Sequence, residues 1–227
     1  MTKKLEIPPV IAAIAPDGKL LPAQRRKILI DISLRRQKPG TGSALEFLRR
    51  RTAMNPWPDL RPILKGIRWV VVGAVATRAF MPERMTKDLD ILISKNDAEE
   101  VLKRLQAQGY KVISQLAIPG MLLRSPEGIQ VDVIFGDYPW LEDALESPIQ
   151  DAAEFPVLDL PYLVLMKMES SRGRDIGDLN TMLGLASEEM LNRVRAVVKR
   201  YSPESMDDLE SLVFLGRLEM SDGSQKT

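Results

Sequence analysis

Two aspartates, Asp88 and Asp90, interrupt an otherwise apolar segment in the stretch RMTKDLDILIS, residues 84–94. The segment is typical of a buried β-strand, and side chains two residues apart on a strand point to the same face. Two ionised carboxylates on one face repel each other unless a cation lies between them. The spacing therefore indicates either a divalent metal site or an edge strand whose polar face meets water.

The chain contains no histidine and no cysteine. Triads built on histidine, histidine general bases, zinc sites with nitrogen or thiolate ligands, and disulfides are therefore excluded. Any chemistry must use carboxylates, lysines, arginines and hydroxyls. A bound metal should be a hard, oxygen-preferring cation, and Mg²⁺ is the first candidate.

A third acid and a glycine extend this candidate site. Asp132 is a lone acid in the apolar segment QVDVIF, and Gly73 directly follows the apolar segment WVVV. A third carboxylate on a neighbouring strand would complete a site able to hold two metal ions in line with a reacting phosphate. Backbone amides at Gly73 can approach a polyphosphate because no Cβ stands in the way. The combination favours phosphate chemistry assisted by metal.

Three segments are expected to position these residues: a basic N-terminal helical arm at 1–66, an α/β core at 67–150 and a C-terminal helical region at 151–227. The core pattern is strand, short helix, strand, amphipathic helix and three short strands. This order predicts the α/β (α+β) class, with a mixed β-sheet and helices on one side.

The patterns also predict individual elements. The amphipathic helix of the core should begin at Asn96, which is placed to cap it. Core strands are expected near 69–72, 87–94, 111–118, 121–125 and 129–135. Helices outside the core are expected at 22–37, 43–54, 160–172, 174–184, 187–201 and 203–220.

The motif order resembles the nucleotidyltransferase superfamily, whose minimal enzymes share a polymerase-β-like core. The shared pattern is an apolar strand ending in glycine, a short helix, Asp-x-Asp on the next strand and a distant third Asp. The Arg-x-Thr-x-Asp-x-Asp form at 84–90 is similar to AbiEii-type toxins of toxin–antitoxin systems. The segment KMESSRGRDIGDL, residues 167–179, is similar to a second motif of that branch. The resemblance covers about residues 67–182.

The resemblance implies catalytic and metal-binding roles for the three aspartates. Asp88 and Asp90 would coordinate two Mg²⁺ ions, and Asp132 would bind the one that activates the acceptor hydroxyl. The reaction would move an NMP from an NTP to that hydroxyl and release pyrophosphate. The alternative is a decayed site that keeps its acids as surface polar residues.

The nucleotide-binding residues that the resemblance implies are Gly73, Ala74, Thr86 and Lys167. Ala74 stands where the family commonly has Gly or Ser, so a hydroxyl ligand is lost while the backbone amide remains. Lys167 would contact the triphosphate, although a lysine on an apolar helix can also extend to solvent. The remaining charged residues of the second motif are expected to form a structural ion-pair cluster: Arg172, Arg174, Asp175 and Asp178.

Charge is unevenly distributed along the chain. Up to Arg68 there are 15 lysines and arginines against 5 acids, and after it 17 against 26. A basic front suggests an anionic partner, and RNA is the usual one. The basic residues of 22–51, Arg26 and Arg49–Arg51 among them, should then face solvent. The alternative is a basic helical surface packed on the acidic body of the same chain.

Several acceptors and partners are consistent with these features. The toxin-like resemblance and the basic arm favour RNA, in particular a tRNA end, as acceptor, with an antitoxin protein as a second partner. The acidic C-terminal half is also compatible with a small cationic acceptor such as an aminoglycoside antibiotic, and a protein hydroxyl is a further alternative. A catalytically inert adaptor that binds RNA or protein is the alternative outside enzymes.

The N-terminal sequence predicts a mature cytoplasmic protein. Its apolar run is short and is interrupted by Glu6 and by Pro8 and Pro9, which differs from a signal peptide. The absence of cysteine fits a reducing compartment. No segment approaches the ~20 apolar residues that a membrane-spanning helix requires.

Overall fold

The computed structural model describes residues 12–13, 15–16, 19–38 and 57–220. In this part of the chain the α-helices are α1 (Pro22–Arg36), α2 (Gly73–Ala76), α3 (Ala98–Ala107), α4 (Leu141–Glu146), α5 (Leu160–Ser170), α6 (Gly173–Leu185), α7 (Glu188–Tyr201) and α8 (Met206–Met220). The strands are β1 (Trp69–Val72), β2 (Asp88–Ser94), β3 (Lys111–Gln115), β4 (Gly120–Arg124), β5 (Gln130–Gly136), β6 (Ile149–Gln150) and β7 (Pro156–Val157). The helix predicted at 43–54 lies outside the described residues.

The strands form one mixed seven-stranded sheet in the order β3-β4-β5-β2-β1-β7-β6. Strand β2 runs antiparallel to β1 and parallel to β5. The predicted α/β class with a mixed sheet is confirmed. The sequence patterns missed β6 and β7, which have two residues each and pair at the edge beyond β1.

The middle of the sheet is held by its apolar residues. All of Trp69–Val72 is buried, as are Leu89 and the segment 91–94 of β2. Strands buried on both faces read as nearly continuous apolar runs, which is the pattern in β1. In this register Val72 lies opposite Asp90, and Asp90 lies opposite Asp132. The two acids therefore sit on adjacent central strands.

Helix α3 follows β2 and packs on the core through Val101 and Leu105, which are both buried. Its N-cap is Asp97 and not Asn96, so the predicted cap is wrong. A 3₁₀ turn, Lys95–Asp97, intervenes, and Ser94 caps it by accepting a hydrogen bond at its hydroxyl from Asn96 N. The extra turn shifts the start of the helix along the chain.

The C-terminal helices pack closely where glycines meet. A Cβ on Gly184 of α6 would lie 2.4 Å from the carbonyl oxygen of Gly216 on α8. A Cβ on Gly216 would lie 2.1 Å from the carbonyl oxygen of Asn180. Both distances are shorter than any normal contact, so the two helices can approach this closely only with glycine at both positions.

Helix α1 packs on α5, α6 and α8, and its buried arginine, Arg26, bonds to residues of α5 and α8. Arg26 donates from Nε to Asp208 Oδ2 at 2.7 Å, and also hydrogen-bonds the Met168 carbonyl and the Ser205 hydroxyl. The prediction that Arg26 faces solvent is therefore wrong, because this basic residue fixes α1 to the acidic helices. Arg49–Arg51 lie outside the described residues.

The division of the chain into three units at 1–66, 67–150 and 151–227 stays a prediction. Strand β7 lies beyond residue 150 and still pairs with β1. In the described ranges, no helix is long and apolar enough to cross a membrane.

Candidate metal centre

The structure brings the three predicted acids together. Asp88 and Asp90 lie on β2 and Asp132 lies on β5, with Asp90 opposite Asp132 in a parallel register. One oxygen from each carboxylate can be chosen so that these three atoms all lie within 4.8 Å of one another. Residues two apart on a strand share a face, and parallel pairing places the third acid on the same face.

The cluster is electrostatically crowded. Burial raises the pKa of Asp90 to about 7, and the charges of Asp88 and Asp132 add to this effect. Arg172 and Lys167 act on the Asp90 pKa in the opposite direction. Burial, followed by the charge of Asp88, also raises the pKa of Asp132. A bound cation would offset this repulsion and favour the ionised forms.

The residues present fit a hard divalent cation. Asp132 Oδ1 is buried and has no hydrogen-bond partner among the described residues, as expected of an oxygen that has a ligand still to bind. The donor set consists of carboxylate oxygens, which Mg²⁺ prefers. Thr86 donates a hydrogen bond from its hydroxyl to Asp88 Oδ1, so this predicted site residue contacts a metal-ligand candidate.

Gly73 lies directly against the acids. Its φ is +64°, and a Cβ at this position would lie 1.9 Å from Asp90 Oδ2. Only glycine allows both this conformation and this approach. Ala74 follows as a buried residue of α2, and its carbonyl accepts a hydrogen bond of 2.7 Å from Thr77 Oγ1. Gly73 thus defines one wall of the carboxylate cluster.

Lys167 is buried on α5 and is paired with two acids of α6. Its Nζ donates to Asp175 Oδ1 at 3.2 Å and to Asp178 Oδ2 at 2.6 Å. An ammonium has three donors, so one N–H remains after these two contacts. The side chain does not extend to solvent, because only 5% of it is exposed.

The same two acids hold two arginines, one each. Asp175 accepts a hydrogen bond of 2.8 Å from Arg172 Nε, and Asp178 accepts bonds of 2.9 and 3.1 Å from Arg84 Nε and Nη2. The structure therefore confirms an ion-pair cluster. Its members differ from the prediction in two respects: Arg174 makes no ion pair within the described residues and Arg84 takes its place, and Lys167 also belongs to the cluster.

Sequence reasoning gave Arg84 no role, although it opens the Arg-x-Thr-x-Asp-x-Asp pattern. The guanidinium ties the loop that leads into β2 to helix α6, which lies 94 residues later. A pairing at this separation leaves no local pattern in the sequence. The only available signal was an arginine placed four residues before the first acid.

A family model matches residues 61–223, and its description is "Nucleotidyl transferase AbiEii toxin, Type IV TA system". The matched range includes the three aspartates, Gly73 and the ion-pair cluster formed by Lys167, Asp175, Asp178, Arg84 and Arg172. No curated protein is similar to the chain at a significant level.

Several solved structures share a partial likeness. The antibiotic-resistance factor ANT(2'')-Ia is 13% identical, with 67% of this chain and 83% of that chain covered and a TM-score of 0.37. A Thermotoga maritima protein assigned as a nucleotidyltransferase is 19% identical, with 66% and 95% covered and a TM-score of 0.37. The Cid1 poly(U) polymerase is 17% identical, with 70% of this chain and 44% of that chain covered and a TM-score of 0.28. Scores this low support no further conclusion.

Proposed function

The chain belongs to the nucleotidyl transferase AbiEii toxin family, and we propose that it transfers an NMP from an NTP to a hydroxyl group at the Asp88, Asp90 and Asp132 cluster. The observation that carries this proposal is the convergence of three carboxylates from two adjacent parallel strands. The family description indicates the reaction class, nucleotidyl transfer. The carboxylate cluster is the proposed site of that reaction.

Two Mg²⁺ ions are the proposed cofactors, and Asp88, Asp90 and Asp132 would hold them. Bound Mg²⁺ would neutralise phosphate charge and lower the pKa of the acceptor hydroxyl. In the reaction, a bond forms between the acceptor oxygen and the α-phosphorus, and the bond from that phosphorus to pyrophosphate breaks. Asp132 is also proposed to help remove the hydroxyl proton, because burial, followed by the charge of Asp88, raises its pKa.

Four residues are proposed to contact the nucleotide. Gly73 and Ala74 would offer backbone amides, because they are the first two residues of α2 and Gly73 lies directly against Asp90. Thr86 would orient Asp88 and lie beside the phosphates. Lys167 would direct its remaining N–H towards the triphosphate, where a positive charge offsets the charge that develops on the leaving group.

RNA, with a tRNA end as the specific candidate, is the proposed acceptor. The support is the excess of basic residues up to Arg68. On α1, Lys27 and Arg36 are exposed, whereas Arg26 is buried and cannot contribute. The toxin–antitoxin description of the family also leads us to propose an antitoxin protein as a partner.

Incubation with total tRNA, Mg²⁺ and each α-labelled NTP in turn tests the proposal. We expect label in RNA with at least one nucleotide, and none when EDTA removes the metal. Label in a small molecule or in protein, but not in RNA, would replace the acceptor and leave the reaction class standing. Absence of transfer to RNA, protein hydroxyls and aminoglycosides alike would indicate an inert adaptor.

Salt dependence tests the RNA surface separately. Each phosphate that the protein neutralises releases counterions, so the logarithm of the RNA affinity should fall with the logarithm of salt concentration, by about 0.7 per contact on single strands. Changing Arg49, Arg50 and Arg51 to glutamate should flatten this slope and leave NTP binding unchanged. An unchanged slope in the triple variant would remove this segment from the RNA surface.

A further inference from the structure

Arg172 combines an anchored position with an exposed charge. It is the N-cap residue of α6, and its Nε donates to Asp175 Oδ2 at 2.8 Å. The Arg172 side chain is 66% exposed, whereas that of its partner Asp175 is only 2% exposed. The acid is therefore in the protein interior while most of the guanidinium-bearing side chain lies outside it.

The acid that anchors Arg172 is buried and has several donors around it. Burial of Asp175 works against ionisation, but hydrogen bonds from Arg172 and Ser170 and the charge of Lys167 hold its pKa below the usual range. Asp175 is thus an ionised acid with three donors around it: Arg172, Ser170 and Lys167. Because its other partners are buried or half-buried, Asp175 fixes the position from which Arg172 reaches outward.

The anchored guanidinium still has donors to offer. A guanidinium carries five N–H donors, and Nε uses one of them on Asp175. Among the described residues, no protein group accepts from the two Nη atoms of Arg172. Arg84 differs, because it uses both Nε and Nη2 on Asp178. Lys167 differs as well, because it is buried and shared between two acids.

The cluster also has an excess of positive charge. Lys167, Arg84 and Arg172 are three cations, and Asp175 and Asp178 are two anions, so the cluster carries one net positive charge beside the three acids of the metal centre. Arg172 is the most exposed of the three cations. Arg172 is therefore the cation of the cluster that an anion from solvent can reach most easily.

Helix α6 lies beside the metal centre, because Asp178 of α6 pairs with Arg84, four residues before Asp88. Arg172 interacts electrostatically with Asp90, one of the acids proposed to bind the metal ions. Lys167, the proposed triphosphate contact, and Arg172 both donate to Asp175. An anion bound at Arg172 would therefore lie close to Lys167, where the polyphosphate of an NTP is expected.

We propose that Arg172 binds the polyphosphate of the NTP through its Nη donors while buried Asp175 holds the guanidinium in place. This inference rests on the proposed function. A planar guanidinium can bind two phosphate oxygens at once, which a lysine cannot do. Arg172 thus supplies the directional contact, and the buried Lys167 supplies charge from behind it.

Inorganic tripolyphosphate with Mg²⁺ is the probe, because it carries the feature that all NTPs share and requires no knowledge of the base. Calorimetry would give its Kd for the full chain, for Arg172→Gln and for the matched control Arg174→Gln. Arg174 is an exposed arginine on the same helix, two residues away, outside the cluster. We expect Arg172→Gln to weaken tripolyphosphate binding at least tenfold at a temperature where the variant is fully folded, and Arg174→Gln to bind within twofold of the unmodified protein.

Arg172→Lys distinguishes the contribution of the two-point guanidinium contact from that of the positive charge. It keeps the positive charge and loses the two-point contact, so we expect an intermediate Kd. Unchanged tripolyphosphate binding in Arg172→Gln, or an equal loss in Arg174→Gln, would overturn the inference. If the unmodified protein transfers NMP while Arg172→Gln binds normally, only this inference fails. If the unmodified protein neither binds tripolyphosphate nor transfers NMP, the proposed function fails with it.

Discussion

Asp90 is the residue on which the metal centre depends most. It shares a strand face with Asp88, lies opposite Asp132 in the sheet and contacts the space left by Gly73. Each of these neighbours removes water or adds negative charge, and both effects disfavour ionisation. In the metal-free protein the cost of an ionised Asp90 falls on the folded state alone.

This cost predicts a pH-dependent effect of Asp90→Asn on stability. The folded pKa of about 7 lies above the ordinary value of 3.8, so the folded state retains the proton that the unfolded state loses as pH rises between these values. Asp90 therefore destabilises the metal-free protein increasingly from about pH 4 to pH 7, and no further above that. Urea unfolding in EDTA should show Asp90→Asn nearly equal to the unmodified protein at pH 4 and about 2–4 kcal/mol more stable at pH 8. A difference that does not change with pH would show that Asp90 is not crowded.

Gly73→Ala tests the wall of the centre. The new Cβ would meet Asp90 Oδ2 at 1.9 Å, so the carboxylate must rotate away from its neighbours. Gly128→Ala is the matched control, because its φ is +88° and nothing lies within 4 Å of the added Cβ. Both variants should lose about 1–2 kcal/mol of stability from the left-handed backbone, and Gly73→Ala should lose more because its Cβ displaces Asp90. Only Gly73→Ala should lower Mg²⁺-dependent transfer, by at least about tenfold. Equal transfer rates in the two variants would contradict this role for Gly73.

At the level of elements, the contact between α6 and α8 depends on glycine. Gly184→Ala places a Cβ 2.4 Å from the Gly216 carbonyl oxygen, and a backbone atom cannot move aside as a flexible side chain can. We expect a loss of about 1–3 kcal/mol in the free energy of unfolding, measured in urea. Gly177→Ala on the same helix meets nothing within 4 Å and should be neutral or stabilising by up to about 1 kcal/mol. Similar effects at both sites would mean that the helices are not in close contact.

The sequence predicts an element well where its apolar pattern extends over many residues. It predicts poorly the very short strands and the pairs of residues that are far apart in the sequence. The apolar runs of β1 and β2 and the helices α5 to α8 have strong patterns, and they appear near their predicted bounds. Strands β6 and β7 are too short to show alternation, and they are strands only because β1 leaves an edge open. The three acids could be grouped from motif order. The pairing of Arg84 with Asp178 could not, because it depends on how α6 packs beside the β2 loop.

At the level of the whole molecule, the basic front is partly structural. Arg26 connects α1 to Asp208 on α8, and the pair is buried. A count of charges along the sequence does not distinguish an arginine that binds a partner from one that makes a buried ion pair within the fold. Arg26 is an arginine of the latter type.

Arg26→Met should therefore destabilise the protein by about 3–5 kcal/mol, because it leaves the buried Asp208 carboxylate unpaired. The neighbouring variant Lys27→Met changes an exposed cation and should stay within about 0.5 kcal/mol. The double variant Arg26→Met and Asp208→Leu removes both charges and should recover part of the loss in urea unfolding. A small effect of Arg26→Met would show that α1 is not held by this pair.

The most direct test compares two aspartates near the same strand. Asp132 lies within β5 in the carboxylate cluster, whereas Asp137 follows β5 and its side chain is 83% exposed. The measurement is the rate of NMP transfer from α-labelled NTPs to tRNA with Mg²⁺, for Asp132→Asn and for Asp137→Asn. Both rates are measured at a temperature where both variants are fully folded. A metal-dependent transferase should lose at least about 100-fold in Asp132→Asn and keep its rate in Asp137→Asn. A wild-type rate in Asp132→Asn, or a rate that EDTA does not change, would contradict the account.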